Sequence, residues 1–197
     1  DAMRLQLLTD LGEVLMEVGD FAESRTALDE AQVAAERAGN ERIGASARLF
    51  RMRVRFFSAE PGDWGDATLR TAEEAIPLFE AESAHPELAR AWRLIGLVHG
   101  ISARYGLSTD AVSRSMTHAR LAKDDRLIAR NAVGLASSAL LGPTPVSGAI
   151  ALCEQMVVNG LIDRQAESKI LCTLAQLRAM NGDFDEARSL YRRGRAM

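Results

Sequence analysis

Residues 171–194 read LCTLAQLRAMNGDFDEARSLYRRG, a pattern that predicts two amphipathic helices joined by a tight Asn-Gly-Asp turn. The second half of this stretch, NGDFDEARSLYRRG (181–194), has a near copy in VGDFAESRTALDEA (18–31). The offset between the copies is 163 residues, as from Gly19 to Gly182. Because two similar segments lie so far apart, we expect more divergent copies between them, which is the signature of a repeat array.

Apolar residues at helical spacing, interrupted by turn residues, divide the chain into five predicted helix hairpins. The clearest turns are PGDWGD (61–66) and GPTP (142–145), and Pro77 should kink the helix that contains it. We therefore predict an all-α fold, a right-handed α-solenoid of antiparallel hairpins in a single domain. The predicted units are residues 4–40, 41–84, 86–124, 125–162 and 163–197. The predicted apolar stripe of the first helix is Leu8, Leu11, Leu15 and Val18.

Each helix of a predicted hairpin has a small residue where the two helices approach each other. The sequence separation between these two small residues indicates the length of the turn. It is 12 residues in the first and fifth hairpins, 16 in the third and 15 in the fourth. We therefore expect a turn lengthened by four residues around 102–109 and one lengthened by three at 142–145. The pairs used are Gly12 with Ser24, Ala175 with Ala187, Gly96 with Val112, and Gly134 with Ala149.

The composition limits the function classes. Only 5% of the residues are aromatic, whereas Ala, Leu, Arg and Glu are abundant, which favours helices over sheets. The net charge of −3 argues against a broad surface for nucleic acid or anionic membrane. No apolar run is long enough to cross a bilayer, no signal peptide opens the chain, and two cysteines cannot form a disulfide framework. A cytoplasmic protein is therefore expected.

Both ends of the chain look cut. Asp1 lies at or just before the first predicted helix, and the last helix reaches Met197 without a stop signal. Because repeat arrays need polar capping elements, we expect a fragment of a longer protein.

The segment ELARAWRLIGLVHG (87–100) carries a known motif. Trp92-x2-Ile95-Gly96-x2-His99 matches the opening of the tetratricopeptide pattern, W-x2-L-G-x2-Y, with Ile for Leu and His for Tyr. The chain resembles a tetratricopeptide-repeat (TPR) array, most clearly in the first, third and fifth units.

A narrower resemblance adds LLGPTPVSGAIALCEQM (140–156) and LRAMNGDFDEARSLYRRGRAM (177–197) to that segment. Together they are similar to the helical-repeat region of large bacterial signalling proteins, which carry an AAA-type ATPase module and often a nucleotide cyclase or a LuxR- or SARP-type DNA-binding domain. The resemblance implies a sensory or scaffolding part of such a protein. No G-x-x-x-x-G-K-[ST] motif occurs here, so neither ATP binding nor cyclase activity is expected of this chain.

Residue types that support catalysis or metal binding lack the necessary partners. The histidines are His85, His99 and His118; His99 and His118 could approach each other, but they lack a third ligand. Cys153 and Cys172 are expected to act as small hydrophobes rather than as a redox pair. There is no nucleophile elbow and no HExxH motif, and the adjacent pairs Glu73-Glu74 and Asp124-Asp125 point their side chains apart on a helix. We predict no enzymatic activity, no cofactor and no metal.

Arginines cluster in the second unit. Arg48, Arg51 and Arg55 follow an i, i+3, i+7 spacing on one helical face, and Arg90 and Arg93 lie on the first helix of the next unit. Stacked side by side, the two sets would form a basic strip for an acidic peptide or a phosphate. A solvated face, balanced by nearby glutamates such as Glu41 and Glu87, is the favoured alternative because surface charges contribute little.

The TPR resemblance implies that the first helix of each hairpin lines a concave face that binds a partner segment. The function predicted is a non-catalytic protein-interaction module that regulates attached ATPase, cyclase or DNA-binding domains, and the alternative is a sensor that binds a small inducer. Binding of single-stranded RNA is disfavoured by the net charge and the few aromatic residues. The residues predicted to contact a partner are Gln6, Thr9, Glu13, Arg48, Arg51, Arg55, Arg90, Arg93, Leu97, Asn131, Leu135, Lys169 and Gln176.

Overall fold

The computed structural model describes residues 2–58, 62, 64–158 and 163–197, and all regular structure within these residues is helical. The predicted turn at 61–66 and the predicted end of the fourth unit at 162 lie partly or wholly outside the described residues. The helices are α1 (Ala2–Glu17), α2 (Phe21–Arg37), α3 (Glu41–Phe57), α4 (Trp64–Ala81), α5 (His85–Ile101), α6 (Tyr105–Ala122), α7 (Asp125–Leu141), α8 (Val146–Val158), α9 (Arg164–Met180) and α10 (Phe184–Arg195). We refer to the odd-numbered helices as first helices and to the even-numbered ones as second helices.

The chain divides into two compact units, Asp1–Leu94 and Ile95–Met197. From here on, the first and second units are these two and not the predicted hairpins. In the first unit α1 packs on α2, α2 on α3 and α3 on α4, and the first helices α1 and α3 also contact each other. In the second unit α6 packs on α7, α7 on α8 and α9, and α9 on α8 and α10. Each unit is thus a stack of helix hairpins. The second helices α2, α6 and α8 each pack on the first helix that follows them in the chain. None of the described helices is both long and apolar enough to cross a membrane.

Among the described residues, the helices α2, α3, α7 and α9 begin with a side-chain cap. The carboxylates of Asp20, Asp124 and Asp163 and the amide oxygen of Asn40 each accept a hydrogen bond from the backbone N–H three residues later, at 2.7–3.1 Å. Such caps supply acceptors for N–H groups that the helix itself leaves unpaired. Gly19 and Gly182 have φ angles of 88° and 91°, which glycine adopts without strain, so the repeated Gly-Asp-Phe segment is a structural turn.

A serine on the second helix is bonded to a glycine on the first in two hairpins. The Ser24 hydroxyl donates to the Gly12 carbonyl oxygen at 2.7 Å, and the Ser108 hydroxyl donates to that of Gly96 at 2.9 Å. A Cβ atom on Gly12 would lie 2.6 Å from the Leu28 side chain, so the glycine permits this close approach. Both hairpins have the same 12-residue spacing.

The expected long turn at 102–109 is wrong. α5 ends at Ile101 and α6 begins at Tyr105, so the connection is three residues long, as it is between α1 and α2. The predicted length depended on pairing Gly96 with Val112. In the structure Ser108 is the residue bonded to Gly96, and Val112 lies one helical turn beyond it and also faces Gly96. The turn at 142–145 has four residues, one more than these connections rather than three more.

The cores are built from aliphatic residues and many alanines. In the first unit Met16, Leu28, Phe50 and Val54 form a buried cluster. The predicted stripe of α1 is wrong in part, because Leu11 and Val18 are exposed and the helix instead buries Leu5, Thr9, Gly12 and Met16. In the second unit the core joins α6 to α9 through Met116, Ala132, Ala136, Ala139, Ala149, Ile150, Cys153, Ile170, Leu174 and Leu177.

Candidate functional site

Charged side chains from three first helices meet in the first unit. Glu13 on α1 accepts a hydrogen bond from Arg53 on α3 at 3.3 Å and another from Arg90 on α5 at 3.2 Å. Each guanidinium donates to a different oxygen of the carboxylate. The three side chains are 19–30% exposed, so they are partly shielded from water but accessible. We call these residues the Glu13 cluster; its two arginines and one glutamate carry one excess positive charge.

An aromatic ring and a second ion pair border the Glu13 cluster. The guanidinium of Arg90 lies over the ring of Phe50, 5.6 Å from its centroid, a cation–π arrangement. Arg42 is paired with Glu87 and, at 3.1 Å, with Glu82, so Glu87 is already matched by a positive charge.

The three α3 arginines of the predicted basic strip lie on a different side of α3 from the arginine that meets Arg90. Arg51 donates to Asp29 on α2 at 2.7 Å, and its spacing places Arg48 and Arg55 on the same side of α3. Arg53 lies two residues from Arg51, roughly 200° around the helix, and it is the arginine that meets Arg90. Arg93 is partly exposed on α5.

The remaining predicted contact residues differ in burial and in their hydrogen-bond partners. Gln6 is partly exposed and donates to Asp10 at 2.9 Å. Thr9 and Asn131 are buried: the Thr9 hydroxyl donates to the Leu5 carbonyl, and the Asn131 amide donates to the Ser115 hydroxyl at 2.8 Å. Since buried side chains cannot touch a partner, we leave both out of the proposed surface. Leu97 is partly exposed, and Lys169 and Gln176 are exposed.

A cleft of about 430 Å³ lies between α6, α7 and α8 in the second unit. Its polar edge includes Arg120 and Gln155. Leu135, predicted from the sequence to contact a partner, lies in this cleft. We call it the α6–α8 cleft. Its apolar wall is formed by Met116, Ile128, Ala132, Leu135, Leu152 and Met156.

The thiols and possible metal ligands are scattered. Within the described residues no three His, Cys, Asp or Glu side chains are grouped as a metal site would require. Cys153 and Cys172 are free thiols, and Cys153 is fully buried. Burial, assisted by the charge of Glu154, raises the pKa of Cys153 from 9.0 to about 11, which makes it a poor nucleophile at neutral pH.

Two features of these sites were missed from the sequence. Arg53 does not belong to the regularly spaced set Arg48, Arg51 and Arg55, and it stands on the opposite face of α3. The α6–α8 cleft depends on residues 40 positions apart, such as Met116 and Met156, whose proximity no local pattern reveals.

No family model matches the chain, and no curated protein is similar to it. Solved structures are similar at low identity. A kinesin-light-chain-assigned protein from Podosopora anserina with nearly identical TPR-like repeats, and a single-residue variant of it, each have a TM-score of 0.71 at 14% identity. These likenesses cover 98% of this chain and 93–94% of theirs. BtubC (BKLC) from P. vanneervenii has a TM-score of 0.74 at 14% identity, covering 100% of this chain and 82% of its own. The predicted fold class is confirmed: the chain has the all-α, helical-repeat fold of TPR-like proteins.

Proposed function

We propose that the chain is a non-catalytic protein-interaction module, and that the Glu13 cluster binds an acidic segment of a partner protein. The observation that carries this proposal is that two arginines from different first helices both donate to the carboxylate of Glu13. Arg53 and Arg90 lie 40 and 77 residues from Glu13 in the sequence, so the fold itself assembles the site.

Electrostatics favours an acidic partner at this place. Guanidinium groups bind carboxylates through paired, charge-assisted hydrogen bonds, and the excess positive charge of the cluster is partly shielded from water. The buried Phe50 ring lies beneath Arg90 and supports its guanidinium. A partner that places one carboxylate between Arg53 and Arg90 would balance the cluster. Net charge and composition give no reason to propose a nucleic-acid or membrane partner.

A display screen tests the proposal. A random peptide library is selected on the wild-type chain, on a double variant of the cluster (Arg53→Gln, Arg90→Gln) and on a matched control (Arg48→Gln, Arg55→Gln). We expect the wild type and the control to enrich acidic peptides that the cluster variant does not retain. Equal enrichment by all three proteins, or none by any, would refute the assignment. If the cluster only holds the helices together, the cluster variant should have a lower melting temperature but should select the same peptides as the wild type.

The α6–α8 cleft supports a second candidate function, the binding of a small apolar ligand. Its volume of about 430 Å³ lies within the usual range for ligand pockets, and its mixture of an apolar wall with a few polar groups is typical of them. Thermal melting with and without a low-molecular-weight cell extract would reveal such a ligand. The shift should disappear when Leu135→Arg fills the cleft, and it should persist in the cluster variant.

We further propose that the module regulates ATPase, cyclase or DNA-binding domains of a bacterial signalling protein. This setting is supported by the sequence resemblance of residues 87–100, 140–156 and 177–197. Deleting residues 1–197 from a full-length protein that contains them should change the activity of its other domains or its response to a signal. Unchanged activity and regulation would refute this setting while leaving peptide binding to be judged separately.

A further inference from the structure

The three helices around the α6–α8 cleft have a fixed relative direction. α6 is joined to α7 by the two residues 123–124, and α7 is joined to α8 by the four residues 142–145. Connections this short make consecutive helices antiparallel, so α6 and α8 both run opposite to α7. The C-terminal ends of α6 and α8 therefore lie beside the N-terminal end of α7.

This arrangement gives the cleft a polar end and an apolar end. Arg120 lies two residues before the end of α6, Gln155 lies three residues before the end of α8, and Ile128 lies three residues after the start of α7. Leu135 lies six residues before the end of α7, level with Leu152, which lies six residues after the start of α8. The guanidinium and the side-chain amide thus stand together at one end, and the two leucines lie towards the other.

The charge at the polar end is positive. Among the described residues that line the cleft, Arg120 alone carries a charge. It is exposed, and no described residue is ion-paired to it. Two carboxylates on the lining helices are engaged elsewhere: Asp124 accepts a hydrogen bond from the Leu127 backbone N–H at 2.9 Å, and Glu154 is paired with Arg178. An anionic group would therefore meet a guanidinium that no neighbouring carboxylate neutralises.

The polar end offers hydrogen-bond donors to such an anion. The Gln155 side chain is exposed and can donate through its amide nitrogen, beside the five N–H groups of the Arg120 guanidinium. The Thr117 hydroxyl is already used, since it donates to the Ser113 carbonyl oxygen at 3.1 Å. A carboxylate accepts hydrogen bonds from both guanidinium and amide, whereas an ammonium group carries only donors and would be repelled by the arginine.

The size of the cleft favours a small chain molecule over a helix of a partner protein. A helix with its side chains is about 10 Å wide, so a volume of about 430 Å³ holds only about 5 Å of it, one turn. Ile128 and Leu135 are seven residues apart, which corresponds to about 10 Å along α7. With C–C bonds of about 1.5 Å, an extended chain of about eight carbons spans a similar length.

We propose that the ligand of the α6–α8 cleft is a medium-chain carboxylate, with its alkyl chain along α7 and its carboxylate between Arg120 and Gln155. This inference rests on the second candidate function, the binding of a small ligand in this cleft, and names the chemistry of that ligand. Burial of the chain against the apolar wall supplies the affinity, and Arg120 selects the charge of the head group.

A series of probes with one alkyl chain and three head groups tests the proposal. Octanoate, octanol and octylamine are titrated separately at pH 7 up to about 1 mM, a range that detects weak binding. Nuclear magnetic resonance of methyl-labelled methionine locates the site, because Met116 and Met156 line the cleft whereas Met3 is exposed on α1.

The order of affinities separates a charge-selective cleft from a merely apolar one. A cleft that only takes up alkyl chains prefers the alcohol, because a charged head group resists desolvation. We expect octanoate to shift the methyl signals of Met116 and Met156 and to bind several-fold more tightly than octanol, with octylamine the weakest of the three.

Three variants assign the effect. Arg120→Gln should remove the preference for octanoate and leave the affinity for octanol unchanged. The matched control Arg114→Gln, exposed on α6 but not among the lining residues, should keep the preference. Leu135→Trp fills the cleft without adding a charge and should abolish the shifts caused by octanoate and octanol. Circular dichroism confirms that each variant is folded.

The outcomes distinguish this inference from the function on which it rests. If octanol binds as tightly as octanoate, or if Arg120→Gln keeps the preference, the inference is overturned while the binding of apolar ligands stands. If no probe shifts Met116 and Met156, both are overturned. Octanoate shifts confined to Met3 or to other positions outside the cleft would also overturn the inference. Peptide selection by the Glu13 cluster is a separate readout, because these variants do not alter that cluster.

Discussion

Glu13 and Arg90 are 77 residues apart in the sequence and are joined by a 3.2 Å hydrogen bond between carboxylate and guanidinium. The same carboxylate also accepts a hydrogen bond from Arg53. Glu13 therefore competes with any approaching acidic group for the two guanidinium groups. We expect Glu13→Gln to tighten the binding of acidic peptides by a few-fold, because the intramolecular competitor is lost. Fluorescence anisotropy with a selected peptide measures this. Weaker binding would show that Glu13 positions the arginines rather than competing for them.

The glycine at the crossing of α5 and α6 offers a test of packing. A Cβ on Gly96 would lie 2.6 Å from Cγ2 of Val112, whereas a Cβ on Gly106 would meet nothing within 4 Å. We expect Gly96→Ala to lower the free energy of unfolding by about 1–3 kcal/mol through overpacking. The matched control Gly106→Ala should leave it unchanged or raise it by up to about 1 kcal/mol, because alanine favours helix. Urea denaturation measures both, and equal effects would contradict the close approach.

Arg178 joins α9 to α8 and to the start of α10 through Glu154, Asp183 and Glu186. A hydrogen bond from the Asn181 side chain and, after it, the guanidinium of Arg178 hold the pKa of Asp183 below its usual value. A carboxyl group with a lowered pKa in the folded state stabilises the fold above its unfolded pKa of about 4, and this contribution is lost as the pH falls through the lowered value.

We therefore expect Asp183→Asn to lower the melting temperature at pH 7 and to have a smaller effect at about pH 3 and below. The control is Asp185→Asn, a nearly fully exposed neighbour that is paired with Arg188 and should change the melting temperature little at either pH. A difference between wild type and Asp183→Asn that grows in acid would contradict the assigned sign.

Cys153 should resist chemical modification in the folded chain. It is fully buried, and at pH 8 a thiol with a pKa of about 11 is ionised to roughly one part in a thousand. We expect iodoacetamide at pH 8 to label the partly buried Cys172 first, and to label both thiols equally fast in urea, as measured by peptide mass mapping. Rapid labelling of Cys153 under native conditions would show that its core opens easily.

Local patterns in the sequence were enough to predict the helices and their hairpin arrangement. The same turn is predicted twice, by Gly19-Asp20-Phe21 and by Gly182-Asp183-Phe184. Helical periodicity is a strong signal over segments of this length. Register was harder to predict, because Ser108 and Val112 lie one helical turn apart and both face Gly96. The pairing with Val112 therefore predicted four extra turn residues that the connection between α5 and α6 does not have.

The candidate sites were only partly predictable. Glu13 and Arg90 were found because first helices were expected to contribute neighbouring side chains to one surface. Arg53 was missed, since one residue step rotates a helix by about 100° and the regular Arg48–Arg55 set points elsewhere. Asn131 seemed a surface residue, but a buried serine on α6 pairs with its amide.

The central claim is that Arg53 and Arg90 bind the acidic group of a partner. The most direct measurement is an anisotropy titration of a selected acidic peptide against three proteins: wild type, Arg53→Gln with Arg90→Gln, and the control Arg48→Gln with Arg55→Gln. Loss of two charge-assisted contacts should weaken binding by the cluster variant about tenfold or more, while the control stays within about twofold of the wild type. Equal weakening by both double variants would reveal a general charge effect, and unchanged binding by the cluster variant would contradict the claim outright.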